Sequence, residues 1–280
     1  MSIENKPALR EGNGNVPKLA DEALVAESSA AFDRIAMLEL DNVSLSYHTG
    51  RQTFDHGMHH VLNQVSLQLF EGESLGIIGR NGVGKTTLLR LMAGILAPTH
   101  GKVRMHPSKS AALLTLGLGF KQDLSGRDNA LLAAMLQGST RQQAKSFLPG
   151  IKEFSELGES FNQPVKDYSS GMRARLAFTT ALMTHVDVLL IDEILSVGDA
   201  HFREKAETAM KSRITSGQTV VFVSHMADQV KNLCDRVVWL DQGKVVSMGP
   251  AAEVVDAYIK HVRDARLEAA ARAKNVVAAS

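Results

Sequence analysis

The chain has a single cysteine, Cys234, so no disulfide can form within it, and one thiol in 280 residues suits a reducing cytoplasm. It also lacks a charge of one sign: 31 Lys and Arg stand against 30 Asp and Glu. That balance argues against partners gathered by bulk electrostatics, so neither nucleic acid nor an anionic membrane surface is expected as a ligand. No apolar run approaches the roughly 18 residues of a membrane-spanning helix. No basic-led apolar stretch of the secretory kind opens the sequence. The expectation is a chain soluble on its own, held at a membrane only through a partner. What is present is an apolar fraction of 44%, enough for a sizeable core in one large domain or two small ones.

The most informative stretch is Gly79-Arg80-Asn81-Gly82-Val83-Gly84-Lys85-Thr86-Thr87. It follows the apolar run Leu75–Ile78, read as a buried strand, and leads into Leu88–Leu96, read as a helix stopped by Pro98. Strand, glycine-rich turn and helix with G-x-x-x-x-G-K-[ST] in the turn form the phosphate-binding P-loop. Glycines at 79, 82 and 84 let successive backbone N–H groups face one point, and the helix N-terminus adds amides and partial positive charge. Lys85 reaches β- and γ-phosphates, the Thr86 hydroxyl suits Mg²⁺, and Asn81 and Thr87 complete the cradle. A nucleoside triphosphate is therefore the expected ligand.

Around this stretch the chain divides into a mobile N-terminal arm over 1–35, a main domain over 36–250 and a helical tail over 251–280. Met37–Tyr47 and Val61–Phe70 alternate as strands, the first read as a pair edge. The segment between them, His48–His60, carries four histidines without a cysteine, and Gly50 and Gly57 within it make it read as a loop between strands rather than a zinc site. Tyr47 either stacks on a nucleotide base or is an ordinary strand aromatic. Lys102–Met105 and Ala111–Leu116 are further strands. Ser125 is placed to cap a helix through Leu136. Thr140–Leu148 and Ile151–Leu157 read as two helices separated by Pro149-Gly150. These helices, with no strand among them, suggest an insert over about 120–180.

Farther on, Val186–Ile191 and Val220–Val223 are continuous apolar strands, ending in Asp192-Glu193 and in Ser224-His225. Such strands alternating with helices argue for a mainly parallel sheet covered on both faces. Val237–Leu240 and Lys244–Val246 read as a hairpin, and Ala251–Ala273 as a helix. A carboxylate at Asp192 suits Mg²⁺ through its water shell. Glu193, pointing differently, suits polarising a water for attack on a γ-phosphate. His225 belongs to the same carboxyl edge.

Taken together, these residues resemble the ATP-binding subunit of an ABC transporter over about residues 37–250. Gly79–Thr86 matches Walker A, and Val188–Asp192 with Glu193 matches Walker B and the catalytic glutamate. Ser196-Val197-Gly198-Asp199 matches the D-loop, and His225 the switch histidine. Tyr168-Ser169-Ser170-Gly171-Met172 stands where the family has Leu-Ser-Gly-Gly-Gln. The departures at Ser170 and Met172 are similar to the branch that exports bacterial polysaccharides such as O-antigen, capsule or teichoic acid. Leu116–Phe120 and Leu124–Asn129 fit that branch too. The family's Q-loop glutamine would fall near Leu116–Leu118, where none stands, and Gln122 comes a few residues late.

The resemblance implies an α/β fold: a P-loop NTPase cassette with a mixed, mainly parallel core sheet, an antiparallel β subdomain and an α-helical insert. It implies ATP and Mg²⁺ as cofactors, and catalytic roles for Glu193, His225 and Lys85. A second copy would pack head to tail, its Ser169, Ser170 and Gly171 reaching the ATP held by this copy. The helical insert near Phe120–Asn129 would pass motion to a separate permease of about six helices. The chain would sit peripherally on the cytoplasmic side of the bacterial inner membrane, with the permease handling most of the polysaccharide cargo. Two other readings stand beside this one: a soluble ABC-type ATPase apart from any transporter, and a transporter subunit for a different substrate.

Overall fold

The computed structural model describes residues 34–48, 58–114, 120–184, 186–192, 199–224 and 226–278, with backbone alone at 48, 58 and 268–278. Two sheets share one layer of helix. Strands β1 (Ala36–His48), β2 (Met58–Phe70) and β4 (His100–Met105) form an antiparallel sheet in the order β2-β1-β4. A six-stranded sheet runs β5-β6-β7-β3-β8-β9, with β3 (Ser74–Ile78), β5 (Ala111–Leu114), β6 (Val188–Asp192), β7 (Thr219–Val223), β8 (Arg236–Asp241) and β9 (Lys244–Pro250). Every neighbouring pair in that sheet is parallel except β8 with β9.

The apolar runs explain how the six-stranded sheet is covered. Alternate residues of a strand face opposite ways, and here both faces are dry. Leu75, Ile77, Val188, Leu190, Val221, Val223, Val238 and Leu240 enter one core with Leu88, Leu89, Leu91 and Met92 of helix α1 (Lys85–Met92). That core is closed from above by Leu38, Leu40, Leu62, Leu67 and Leu69 of the antiparallel sheet. Ile78, Leu189, Ile191, Val220, Phe222, Val237 and Trp239 enter a second core. It is covered by helices α4 (Ser170–Met183), α5 (Ala200–Thr215), α6 (Ala227–Leu233) and α7 (Ala251–Ala278). A side chain such as Phe178 or Phe202, fully buried here, contributes about 1.5–3 kcal/mol by leaving water.

Between β5 and β6 lie α2 (Gly126–Leu136), α3 (Arg141–Ser155), two 3₁₀ turns and α4. Ala130, Leu148, Ile151, Phe161, Val165, Tyr168 and Leu176 give this group its own small core. Ser125 caps α2, accepting from the Asp128 amide, and Thr140 caps α3 in a reciprocal pair with Gln143.

Four sequence expectations are corrected. Pro149 does not break the chain into two helices: α3 runs through it. Pro149 and Lys145, whose carbonyl lacks the i+4 donor, both lie on the exposed face, while Ala144, Leu148, Ile151 and Ser155 keep one buried face continuous. Helix α1 ends at Met92, well before Pro98, because Gly94 turns left-handed at φ +68°. β1 is the centre of its sheet, not an edge. Its ladder slips at Asn42, whose φ of +52° an asparagine tolerates. His59 and His60 belong to β2 rather than to the loop, and the Ser46 hydroxyl meets His60 Nδ1 at 2.7 Å. His48 ends β1 and Met58 opens β2, and residues 49–57 lie outside the described residues, among which no cluster suited to a metal ion occurs. The β8–β9 hairpin stands as read, turning on Gln242 and Gly243 with φ of +46° and +74°, as a two-residue hairpin requires.

Candidate nucleotide site

Because β3, β6 and β7 are parallel neighbours in one sheet, their carboxyl ends bring Gly79, Asp192 and Ser224 to one edge, where ligands bind in open α/β sheets. β7 stands between β6 and β3, so β6 does not neighbour the strand that leads into the phosphate turn. The link from Asp192 to the turn is made instead by α1, which packs across β6.

In the turn, two glycines are demanded by different neighbours. A Cβ on Gly79 would lie 2.2 Å from the Leu240 carbonyl oxygen, and one on Gly84 would lie 2.9 Å from that of Val61. Both also have positive φ, +153° and +103°. At Gly82 there is open space, and only its φ of +81° calls for glycine. Gly84 is the N-cap of α1 and supplies no side-chain cap, and no acidic residue occupies the first turn. The opening amides of this helix are thereby suited to an anion.

Lys85, 7% exposed, donates to the carbonyls of Gly79 at 2.8 Å and Arg80 at 3.0 Å. Those bonds hold the ammonium against the start of the same loop. Thr86 and Thr87 follow on the first turn of α1, both half-buried, and Asn81 is exposed at the tip. Tyr47 is 45% exposed near the end of β1, paired with His59.

The second cluster lies on α4. Tyr168 is buried and its hydroxyl donates to the Ser160 carbonyl at 2.5 Å. Burial pushes its phenol pKa up. Ser169 caps the helix, its Oγ accepting from Met172 N at 3.1 Å. A hydroxyl that accepts in this way keeps its own hydrogen to donate. Ser170 opens the helix, exposed, and Gly171 follows, half-buried. Asp199 caps α5 by accepting from Phe202 N at 2.9 Å. That amide bond first, and then Arg175, hold its carboxyl below the usual range.

Glu193, Ser196 and His225 lie outside the described residues, as do Leu116–Leu118. Gln122 is exposed, and its carbonyl accepts from Lys166 N at 2.9 Å. Its loop is clamped by Asn129, which is buried. The Asn129 amide nitrogen donates to Lys121, Leu124 and Ser125 carbonyls, and its oxygen accepts from Lys121 N at 2.8 Å. Asn129, Gly126 and Arg175 were not singled out by sequence reasoning. The partners of Gly126 and Arg175 are 42 and 24 residues away, and no local pattern announces such contacts, whereas Asn129 bonds within its own loop, 4 to 8 residues away.

The donor set at the sheet edge is all oxygen: the Thr86 hydroxyl and the Asp192 carboxylate. That set fits Mg²⁺, a hard cation that keeps several waters. Beside an anion cradle, it suits a triphosphate with its divalent ion.

Comparison with known proteins agrees. The family described as ABC transporter matches residues 62–196. The chain is 42% identical over 202 residues to a teichoic acids export ATP-binding protein of Listeria innocua, covering 72% of this chain and 60% of that one. It is 42% identical over 221 residues to an O-antigen export system ATP-binding protein of Myxococcus xanthus, covering 79% and 50%. With the corresponding protein of Klebsiella pneumoniae it shares 40% over 197 residues, covering 70% and 80%. The chain thus spans 50–60% of the length of the first two of these relatives. Among solved structures it is similar to the ATP-binding cassette MJ0796 in a dimeric post-hydrolysis state bound to ADP and Pi. The TM-score is 0.64 at 23% identity, covering 77% of this chain and 99% of that one. At that identity the likeness speaks to the fold.

Proposed function

The chain belongs to the ABC transporter family, and on that premise we propose that it is the ATP-hydrolysing subunit of a bacterial polysaccharide exporter, acting with a separate membrane permease. The observation that carries this is the pairing of a P-loop cradle, with Lys85 buried in it, and a capped serine-glycine helix start at Ser169–Gly171 in one chain. A small-molecule kinase has use for the first and none for the second. The relatives named for O-antigen and teichoic acid export support a lipid-linked or capsule-type glycan as the cargo. Among the described residues no helix is long and apolar enough to cross a membrane. A permease of about six helices would accordingly hold the chain at the inner face of the cytoplasmic membrane and handle most of the cargo.

In this reading the backbone amides of Gly79–Thr86, with Asn81 and Thr87, bind the triphosphate, and Tyr47 stacks on the base. Lys85 bonds the β- and γ-phosphates. Thr86 and Asp192 would hold Mg²⁺, which when bound would supply neutralisation of phosphate charge. Glu193 takes the proton of the attacking water, and His225 orients the γ-phosphate. A second copy lies head to tail, so that its Ser169 hydroxyl and the amides of Ser170 and Gly171 donate to the same γ-phosphate. In this reading 36–250 is the ATPase domain, preceded by the 1–35 arm and followed by the 251–280 tail, and its 120–180 insert faces the permease.

The test is Glu193→Gln. The purified parent should hydrolyse MgATP, and the variant should form an ATP-dependent dimer on sedimentation, with turnover reduced by roughly 10²-fold or more. Parent-like turnover in Glu193→Gln would overturn the assignment of the base. A deletion strain that fails to accumulate intracellular glycan would overturn the export reading.

A further inference from the structure

Arg175 lies six residues beyond Ser169 on α4, and its side chain is 18% exposed. One guanidinium nitrogen bonds Asp199 and the other lies 3.5 Å from Glu156, while the guanidinium carbon Cζ lies over the Phe202 ring, 5.0 Å from its centroid. Each of these partners is held independently. Asp199 is fixed to α5 by the Phe202 amide. Glu156, the residue that ends α3, is held by Lys205 at 2.7 Å. Lys205 in turn donates to the Phe154 carbonyl at 3.0 Å and sits 4.5 Å over the Phe154 ring. Beneath the charges, Phe154, Phe178 and Phe202 pack against one another with centroids 5.9–6.5 Å apart. The end of α3, the signature helix α4 and the start of α5 therefore meet on one guanidinium.

From this we infer that Arg175 is a positioning residue for ATP hydrolysis, joining the Ser169–Gly171 end of α4 to Asp199 so that the two stretches move as one unit. This rests on the function proposed above. Asp199 stands seven residues after Asp192 and is the N-cap of α5. Ser169–Gly171 is the stretch that donates to the nucleotide of the second copy. Phosphoryl transfer depends on such groups arriving together in register, and a misplacement near 1 Å can cost about 10²-fold in rate. The aromatic cluster alone would pack the three helices. The fork of an arginine adds direction: its two terminal nitrogens meet two different carboxylates while its carbon lies over an aromatic ring, a geometry lysine cannot reproduce.

The experiment uses the full chain with Arg175→Met, Arg175→Lys, Asp199→Asn and the double variant Arg175→Met/Asp199→Asn. An asparagine at 199 still accepts from Phe202 N, so the helix cap survives while the charge is lost. Arg175→Met should lower kcat for MgATP about tenfold or more while KM stays within about twofold, the mark of lost transition-state alignment rather than lost binding. Asp199→Asn should fall in the same direction, and the double variant should be no worse than the worse single one. Arg175→Lys should recover little. If Arg175→Met lowers only Tm and leaves kcat unchanged, or if the two losses multiply, the positioning role is overturned. Lys85→Ala separates the two readings. A parent whose turnover does not depend on Lys85 sinks the ATPase function and this inference with it. A Lys85-dependent parent with unaltered Arg175 variants sinks this inference alone.

Discussion

Gly126 and Tyr168 are fitted to each other: a Cβ on Gly126 would stand 2.2 Å from the Tyr168 hydroxyl oxygen. The phenol sits there because its hydroxyl reaches the Ser160 carbonyl, tying the residue before the Ser169 cap to the 3₁₀ turn below it. Gly126→Ala should therefore overpack the insert and cost about 1–3 kcal/mol. Tyr168→Phe removes one buried hydrogen bond, while the Ser160 carbonyl keeps the Gln163 amide, so the loss should be about 0.5–1.5 kcal/mol. Combined, they should cost less than the sum, since the atom that clashes is the atom removed. Urea unfolding of the four proteins measures this, and strict additivity would refute the fit.

Cys234 should be a slow thiol. It is buried where β8 meets α6, and burial first, then Asp235, push its pKa up to about 12 from 9.0. The difference between 12 and 9 leaves a thiolate fraction roughly 10³-fold below that of an unfolded thiol at neutral pH. Alkylation at pH 8 should thus be slow in the native protein and fast in denaturant. Gly76→Ala sharpens the test, because its Cβ would stand 2.3 Å from Val230 Cγ1 and 3.2 Å from Cys234 Sγ. That variant should lose about 1–3 kcal/mol by overpacking and label faster. Equal labelling of parent and variant would show that Cys234 is not sealed by this contact.

What the sequence made legible is what local chemistry decides. The glycine spacing of Gly79–Gly84, the cap at Ser125, the hairpin turn at Asp241-Gln242-Gly243 and the apolar strands all announce themselves within a few residues. The order of strands does not. Nothing near Asp192 says that β7 lies between it and Gly79, because that depends on which crossover packs where. Pro149 misled for a similar reason: a helix-breaking residue is tolerated when its missing hydrogen bond falls on the exposed side and the buried face carries on. Gly126 and Arg175 act on partners brought close only by tertiary packing, and their residue types alone carry no such signal; Asn129 acts within its own loop, on Lys121, Leu124 and Ser125.

Acid should destabilise the protein through its paired aspartates. At Asp187 the rise caused by burial is outweighed by bonds from Ser110 N and Oγ, both at 2.9 Å, and by Lys109, so the pKa is lowered. Asp199 is lowered as well, by the Phe202 amide first. A depressed carboxylate stabilises the fold above its ordinary value, here 3.8, and that contribution is lost as pH falls through the folded value. Glu73 runs the other way: burial raises it, so its protonation favours the folded state as pH drops below its raised value. Tm should accordingly change little between about pH 7 and 5 and fall steeply below about 4. Asp187→Asn should flatten the acid limb. An unchanged limb would remove Asp187 from the account.

The only tryptophan in the chain reports on how α7 is seated. Trp239 pairs in register with Ile78, the residue before Gly79, and its ring meets Tyr258 edge-on at 5.6 Å and His261 at 5.0 Å. It is only 8% exposed because α7 covers it. Tyr258→Ala takes away that cover and an edge-to-face contact worth about 0.5–1.5 kcal/mol beyond area burial. The total loss should be about 2–4 kcal/mol, with Trp239 emission shifting to the red as water reaches the indole. Leu267→Ala is the control: it lies farther along the same helix, 63% exposed, and should change stability by no more than about 0.5 kcal/mol. If Tyr258→Ala leaves emission unmoved, α7 is not held at Tyr258. If Leu267→Ala shifts it too, the far end of the helix is docked as well.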